Sequence, residues 1–284
     1  FKMNHILKLN IGIAGCGNMG LPMLEVLLNK NIKAEGYDIR PQKYFLNLKE
    51  NFIPSKKVFF DNNDVILSVV RDIKQTLDLC EGVDGLFNIK NHKILIICST
   101  LSPAFLKDFL KKVPENISII EAPMSGAPMR AKDASLTFMV GSTNNQFKTI
   151  LPLLKILGKT IHHIGDFGSG MSVKVLNNFV AASSVVAVRH VLSEAKNLGI
   201  RTEQLLDILN CSSGKTWFSE NINSIDWSKE SYSKENTIGI LEKDVNSYLD
   251  GLKNTKSDVN EAMDNFQKAL LDGLANLPKY PRDN

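Results

Sequence analysis

The sequence predicts a doubly wound α/β sheet domain followed by an all-α domain. In the first half, short β-rich segments alternate with helical segments, which is typical of βαβ units and a mainly parallel sheet. Continuous apolar runs such as 94–97 indicate strands that are covered on both faces. Beyond about residue 165 only helical periods recur. We therefore expect domains at 1–165 and 166–284, joined at a glycine-rich stretch.

The individual elements follow from hydrophobic periodicity and from start signals. One helix, 103–112, has Ser102 as its predicted N-cap and Pro103 at its first position. The predicted strands are 9–14, 32–37, 65–69, 94–98, 117–120, 136–140 and 160–164, and a helix is also expected at 21–30. In the second half, the predicted helices are 171–198, 202–209, 237–252 and 257–274.

Composition excludes several classes of function. The 284 residues are enough for about two domains. A net charge of +4 with scattered lysines gives no basis for a nucleic-acid partner. The longest uncharged apolar stretch, 179–188, is far shorter than the roughly 20 residues of a membrane-spanning helix, so we expect a buried helix and no membrane partner.

The cysteines and histidines predict neither a disulfide framework nor a metal site. The cysteines lack C-x-x-C pairing and metal-ligand spacing, and 1–10 lacks a cleavage signature, so we expect a reduced, cytoplasmic setting. His162 and His163 are neighbours on a predicted strand and point to opposite faces, so they cannot chelate one ion together. The cysteines are Cys16, Cys80, Cys98 and Cys211.

The segment 15–20 carries a dinucleotide-binding motif. Its sequence, G-C-G-N-M-G, follows the first predicted strand and opens the first predicted helix. In that context Gly15 makes the turn, Gly17 lets a pyrophosphate approach the backbone, and Gly20 lets the helix pack on the strand. The helix N-terminus then offers N–H groups to the phosphates, so the first domain is predicted to be of Rossmann type. The predicted contacts also include Cys16, Asn18 and Met19.

The end of the second predicted strand bears on the choice of cofactor. Asp38 lies 18 residues beyond Gly20, near the spacing of an acidic residue that binds ribose hydroxyls. A carboxylate at this position repels a 2′-phosphate. Arg40, two residues further on, offers a guanidinium that would hold this phosphate. We therefore predict NAD or NADP as cofactor, with NAD favoured by Asp38.

A serine-glycine loop leaves the predicted strand 117–120. In parallel sheets, ligands bind at the carboxyl ends of the strands. Ser125 offers a hydroxyl there, and Gly126 offers an N–H with no obstructing side chain. The pair suits a small carboxylate or carbonyl, although the same residues alone are also typical of an ordinary turn.

The second chemical motif lies at the start of the predicted helix 171–198. If the helix begins near Ser169, Lys174 and Asn178 form an i, i+4 pair on one face, with Asn177 beside them. The surrounding residues are apolar, so the lysine is predicted to lie on a buried helix. Snorkelling of its ammonium to solvent is the alternative to a functional role.

The chemistry of hydride transfer explains why a lysine would stand there. Oxidation of an alcohol requires a base for the hydroxyl proton, and reduction of a carbonyl requires an acid to return it. A lysine with its ordinary pKa of about 10.4 is too basic at neutral pH, but burial and the charge of an oxidised nicotinamide would lower it. We predict Lys174 as general acid–base, with Asn178 binding the reacting oxygen or orienting the ammonium.

In this order, the motifs resemble those of the β-hydroxyacid dehydrogenases, a family that includes 3-hydroxyisobutyrate dehydrogenase and is related to 6-phosphogluconate dehydrogenase. The segments similar to its motifs are 15–20, 99–103, 121–127, 168–178 and 241–245. The resemblance implies a catalytic lysine assisted by the second asparagine, and oligomerisation as a homodimer or homotetramer through helices of the second domain. It also implies cofactor contacts from Val70, Arg71, Gln75, Thr100 and Lys243, and substrate contacts from Ser125, Gly126 and Asn177.

Departures from the family pattern concern the substrate more than the reaction. Glu121 replaces an aspartate and Ala127 replaces a glycine. Arg130 and Ala134 occupy positions that are often glycine in the family, and Arg130 would supply a cation for a substrate carboxylate. The exact substrate therefore stays open.

The function predicted from the residues and the resemblance is an NAD(P)-dependent oxidoreductase that interconverts a small 3-hydroxy acid and its semialdehyde, in a cleft between the domains. One alternative is an imine or other aldehyde reductase on the same scaffold. Another is a non-catalytic dinucleotide-binding module. The presence of both Lys174 and Asn178 counts against these alternatives.

Overall fold

Eight strands form one sheet in the computed structural model, which describes residues 5–253 and 261–281. β1 to β5 are parallel neighbours in the order β2-β1-β3-β4-β5, while β7 is antiparallel to β5 and β6 and parallel to β8. The strands are β1 Ile11–Ala14, β2 Ala34–Tyr37, β3 Val65–Ser68, β4 Lys93–Ile97, β5 Ile117–Glu121, β6 Met124–Ser125, β7 Leu136–Gly141 and β8 Gly158–Gly165.

Helices cover both faces of this sheet. Val65 and Leu67 of β3 belong to one hydrophobic cluster, whereas Ile66 belongs to another, because successive strand residues point to opposite faces. All four residues of β3 are buried, as expected for a strand covered on both sides. The helices of this region are α1 Gly20–Asn29, α2 Lys56–Asn62, α3 Ile73–Cys80, α4 Pro103–Leu110, α5 Pro128–Lys132 and α6 Asn144–Leu157.

The strand order reverses at β1. The chain moves from β1 to β2 on one side and then crosses to β3 on the other, so the carboxyl ends of β1 and β3 flank a topological switch point. Ligands of open α/β sheets bind at such points, because the loops on either side leave in opposite directions. The topology therefore favours a ligand at the segment 15–20.

The later part of the chain is helical. The described residues after β8 contain only helices and connecting segments: α7 Ser169–Asn197, α8 Thr202–Cys211, α9 Trp217–Asn221, α10 Thr237–Leu252 and α11 Glu261–Ala275. A hydrophobic cluster that includes Val185, Phe218 and Leu241 forms the core here. The buried Arg189 donates to the carbonyl oxygens of Ser228 at 2.7 Å and Glu230 at 2.9 Å, and its burial lowers its pKa.

The chain divides into two compact units between Lys174 and Val175. This division lies inside α7, so the first turns of that helix belong with the sheet. By length and composition alone, α7 is also apolar enough to cross a membrane, a test that core helices of soluble proteins pass as well. Helix α7 is longer than the uncharged stretch 179–188, because it extends beyond Lys174 at one end and beyond Arg189 at the other.

The predicted fold class is confirmed. Each predicted strand is present, with ends shifted by at most two residues. The predicted helix 257–274 corresponds to α11, and its residues 257–260 lie outside the described residues. Periodicity missed β6 because two residues are too few for a pattern, and it missed the five-residue helices α5 and α9 for the same reason.

Candidate active site

The three glycines of the segment 15–20 differ in what surrounds them. Gly15 has φ +97°, and a Cβ on it would lie 2.8 Å from the carbonyl oxygen of Val69. A Cβ on Gly20 would lie 1.9 Å from the carbonyl oxygen of Gly15, whereas one on Gly17 would meet nothing within 4 Å. Packing therefore requires glycine at positions 15 and 20, whereas Gly17 leaves open space for a ligand. We call the segment 15–20 around this space the glycine cradle.

The N-terminus of α1 adds backbone donors to this cradle. Met19, its N-cap, provides no side-chain hydrogen bond to the first turn. By contrast, α3, α4 and α6 are capped by Asp72, Ser102 and Thr143. Uncapped N–H groups at a helix start bind phosphate oxygens readily, so these residues fit a dinucleotide pyrophosphate.

The loops after β3 and β4 are tied together beside the cradle. The Ser99 hydroxyl donates to the carbonyl oxygen of Val70 at 2.6 Å. The Arg71 N–H donates to Oε1 of Gln75 at 2.9 Å, which fixes the start of α3. Thr100 follows on the same edge and is half-buried. The predicted cofactor residues after β3 and β4 therefore share one edge of the sheet with the segment 15–20.

Asp38 and Arg40 form a two-point ion pair at the end of β2. Arg40 donates from Nε to Oδ1 of Asp38 at 2.9 Å and from Nη2 to Oδ2 at 3.0 Å. The same Nη2 donates to the carbonyl oxygen of Cys16 at 2.7 Å, and the Asp38 carboxylate raises the pKa of Arg40. Both residues thus lie at the segment 15–20, and each acidic oxygen has a guanidinium partner.

The side chain of Cys16 points into the core. The thiol is 1% exposed, and its Sγ would lie 2.7 Å from a Cβ placed on Gly36 of β2. Burial raises the pKa of this thiol to about 12. The predicted cofactor contact of Cys16 is therefore restricted to main-chain atoms.

The structure brings Ser125, Gly126 and Arg130 together. Ser125 ends β6 and pairs with Thr137 of β7, and Gly126 follows with φ +141°. A Cβ on Gly126 would lie 3.0 Å from the Cβ of Arg130, so the exposed α5 arginine borders the glycine. Ala134, where the family often has glycine, adopts φ +51°.

Lys174 closes the sheet-containing unit and is 7% exposed. It lies one turn beyond Gly170 on α7, and the start of that helix is held by Glu121 of β5. Oε1 of Glu121 accepts from the N–H of Gly168 at 2.7 Å and of Gly170 at 2.8 Å. Burial raises the pKa of Glu121 to about 7.

In the helical unit, Asn178 is part of a polar network with α10. Its Nδ2 donates to Oδ2 of the buried Asp244 at 2.5 Å, and its Oδ1 accepts from Nδ2 of Asn177 at 3.1 Å. Lys243 pairs with Oδ1 of Asp244 at 2.7 Å. Three of the predicted residues are thus connected through one aspartate.

Sequence reasoning missed the roles of two acidic residues. Asp244 lies in the segment 241–245 beside Lys243, but its position along α10 gives no sign that it contacts Asn178. Glu121 was noticed only as a departure from aspartate. His163 stacks on Phe147 with ring centroids 4.5 Å apart, and His162 is exposed. The described residues contain no group of three or more metal-ligating side chains.

Comparisons with known proteins agree with this architecture. Residues 10–165 match the family described as the NAD binding domain of 6-phosphogluconate dehydrogenase, and residues 168–271 match NAD-binding of NADP-dependent 3-hydroxyisobutyrate dehydrogenase. The mitochondrial 3-hydroxyisobutyrate dehydrogenase of Rattus norvegicus is 30% identical over 266 residues, which cover 89% of this chain and 78% of that protein.

Solved structures share the fold at lower identity. A 3-hydroxyisobutyrate dehydrogenase from Salmonella typhimurium superposes with a TM-score of 0.77 at 22% identity, covering 95% of this chain and 96% of that one. A variant imine reductase from Myxococcus stipitatus in complex with NAD+ gives 0.64 at 13% identity, covering 94% of each chain.

The fold and the glycine cradle define a nicotinamide-dinucleotide-dependent oxidoreductase. The chain belongs to the β-hydroxyacid dehydrogenase family, whose members are NAD(P)-dependent hydroxyacid dehydrogenases. The predictions of family, enzyme class and NAD(P) cofactor are confirmed.

Proposed function

We propose that this protein interconverts a small 3-hydroxy acid and its semialdehyde, with Lys174 as the general acid–base. The observation that carries the proposal is the position of a buried lysine, 7% exposed, one turn before an asparagine on the same helix. The similarity to rat 3-hydroxyisobutyrate dehydrogenase supports the substrate class.

The roles of the side chains follow from the reaction. The segment 15–20 would hold the nicotinamide dinucleotide, which would supply the hydride acceptor for oxidation at the carbinol carbon and the hydride donor for reduction. The Lys174 amine takes the hydroxyl proton as the C=O bond forms, and its ammonium gives that proton back in the reverse direction. The Ser125 hydroxyl and the Gly126 N–H hold the substrate carboxylate, and the bordering Arg130 guanidinium adds opposite charge.

Asn178 is proposed to orient the ammonium of Lys174. Its Nδ2 already donates to Asp244, which directs Oδ1 away from that carboxylate. Its Oδ1 accepts from the amide of Asn177. The i, i+4 spacing on α7 supports orientation of the ammonium. Because an amide carries two N–H groups, donation to the substrate oxygen stays as the alternative role.

The preference between NAD and NADP is also proposed. Asp38 supports NAD because its carboxylate can accept from ribose hydroxyls, but its ion pair with Arg40 offsets its repulsion of a 2′-phosphate. We keep NAD as the preferred cofactor. The ratio of NADH to NADPH affinity in a fluorescence titration decides between them.

The remaining expectations concern the setting of the enzyme. All four cysteines are free thiols, which supports a reduced, cytoplasmic location. A homodimer or homotetramer is supported by exposed apolar residues along α7, namely Leu176, Val180 and Val191. The substrate is proposed to be a small carboxylate or aldehyde without nucleic-acid or membrane partners.

Replacement of Lys174 tests the mechanism. Lys174→Ala is expected to lower kcat by about 10²- to 10⁴-fold, the usual contribution of general acid–base catalysis, with the Kd for NADH changed less than threefold. Lys196→Ala, at an exposed position near the end of the same helix, is the matched control and should keep wild-type kcat. Wild-type turnover in Lys174→Ala would remove the lysine from the mechanism.

The assay also separates the alternatives. Nicotinamide absorbance is followed with a panel of 3-hydroxy acids, semialdehydes and cyclic imines. Turnover restricted to imines would support an imine reductase, to which the chain is similar in fold. Cofactor binding without turnover on any panel member would support a non-catalytic dinucleotide-binding module.

A further inference from the structure

We propose that Glu121 is a positioning residue that fixes the first turns of α7 and thereby places the Lys174 amine. This inference rests on the proposed role of Lys174. Glu121 is 0% exposed, so its carboxyl group cannot touch a substrate, and any effect it has on catalysis must act through the helix.

The contacts of Glu121 are those of a helix cap supplied from a distant strand. Its Oε1 accepts from the N–H groups of Gly168 and Gly170, which begin α7 and lie 47 and 49 residues away along the chain. The first N–H groups of a helix lack partners within the helix, and a carboxylate placed there also interacts favourably with the helix dipole. One carboxyl oxygen of β5 therefore holds two N–H groups at the start of α7.

Two glycines make room for this arrangement. Gly141 of β7 pairs with Glu121, and a Cβ on Gly141 would lie 1.9 Å from Oε1 of Glu121. A Cβ on Gly170 would lie 2.2 Å from the carbonyl oxygen of Met139. The start of α7 thus lies directly against the ends of β5 and β7, with no space for a methyl group at either contact.

The position of Lys174 depends on this contact because the intervening helix is short. Lys174 lies four positions after Gly170, which corresponds to about 6 Å along the helix axis. Over one turn, a displacement at the start of the helix is passed on with little loss. A misplacement of about 1 Å at a reacting group costs about 100-fold in rate, so a small shift of the helix start is enough to matter.

The other oxygen of Glu121 makes this carboxyl group costly to bury. Oε2 is buried and has no hydrogen-bond partner among the described residues. An unpartnered buried polar atom is unfavourable for stability. Burial also raises the pKa of the group to about 7. The chain thus buries a costly carboxyl group, and Oε1 of that group holds the start of α7.

The experiment compares Glu121→Ala, Glu121→Gln and Gly141→Ala with the wild-type enzyme. Glu121→Ala removes the acceptor, and Gly141→Ala leaves Glu121 in the chain but forces its carboxyl group out of place. Glu121→Gln keeps an acceptor oxygen and is the conservative rescue. Glu115→Gln, the same chemical change on an exposed loop, is the matched control.

Amide hydrogen exchange of the peptide that spans 168–174 is measured together with kcat, KM and the Kd for NADH. In Glu121→Ala and Gly141→Ala, exchange at Gly168 and Gly170 should be at least tenfold faster. In both variants kcat should fall at least tenfold, while KM and Kd change less than threefold. Glu121→Gln should keep kcat within fivefold of the wild type, and Glu115→Gln should match it.

The outcomes separate this inference from the proposed function. If Lys174→Ala is inactive but Gly141→Ala exchanges faster with wild-type kcat, the positioning role is wrong and the lysine mechanism stands. Unchanged exchange in Glu121→Ala also overturns the positioning role. If Lys174→Ala itself turns over normally, the proposed function fails first. Should Glu121→Ala fail to fold, Gly141→Ala and Glu121→Gln carry the same comparison.

Discussion

Gly17 and Gly20 lie three residues apart in the segment 15–20, yet the same substitution should affect them in opposite ways. Gly20→Ala places a methyl carbon 1.9 Å from the carbonyl oxygen of Gly15, far inside the roughly 3.5 Å of an ordinary nonbonded contact. The obstacle is backbone, so α1 must move away from β1. Overpacking of this kind costs about 1–3 kcal/mol or more, and we expect the free energy of unfolding of the apo protein to fall by about 3 kcal/mol.

Gly17→Ala should leave the fold intact and weaken the cofactor. Its Cβ would meet no protein atom within 4 Å, and its φ is not among the positive values. Replacing a glycine at a compatible position stabilises a protein by about 0.4–1 kcal/mol through the unfolded state. The added methyl group occupies the space next to the backbone where a phosphate would bind. If it removes one hydrogen bond to the charged phosphate, worth about 1.5–3 kcal/mol, NADH should bind about 10- to 150-fold more weakly.

Urea unfolding of the apo proteins and fluorescence titration with NADH measure the two effects separately. The interpretation of the loop is refuted if Gly17→Ala binds NADH with wild-type affinity. It is equally refuted if Gly17→Ala unfolds as easily as Gly20→Ala, since the open space around Gly17 would then not exist in the folded protein.

Two further predictions concern buried titratable groups. Iodoacetamide at pH 8 should alkylate the exposed Cys211 and leave Cys16 unmodified in the folded protein, because burial raises the pKa of the Cys16 thiol to about 12. Peptide mass spectrometry measures the labelling of each cysteine, and rapid labelling of Cys16 would contradict the prediction. The pKa of Glu121 rises on folding from 4.5 to about 7, so between these pH values the unfolded chain has released a proton that the folded chain keeps. The free energy of unfolding should therefore fall by up to about 3 kcal/mol as the pH rises through this range. Urea unfolding at pH 5 and pH 7.5 should show this loss in the wild type and not in Glu121→Gln; an equal loss in both proteins would assign it to other groups.

Much of the fold could be predicted because its signals are local. The continuous apolar run 94–97 depends on neighbouring residues, and so do the N-cap Ser102 with Pro103 after it and the i, i+4 spacing of Lys174 and Asn178. The glycine motif is local too, since Gly15 and Gly20 meet within one turn between a strand and a helix. Such patterns are visible in the sequence because the geometry of the backbone itself fixes helix and strand periodicity and the shapes of turns.

Other features of the site were decided only when the chain folded. The sequence identified Glu121 as an unusual residue, but its contact with Gly168 requires β5 and the start of α7 to meet at one sheet edge. The bond between Asn178 and Asp244 joins residues 66 positions apart. Which helix and strand ends come together depends on strand order and on packing of the whole core, and no spacing along the chain encodes it.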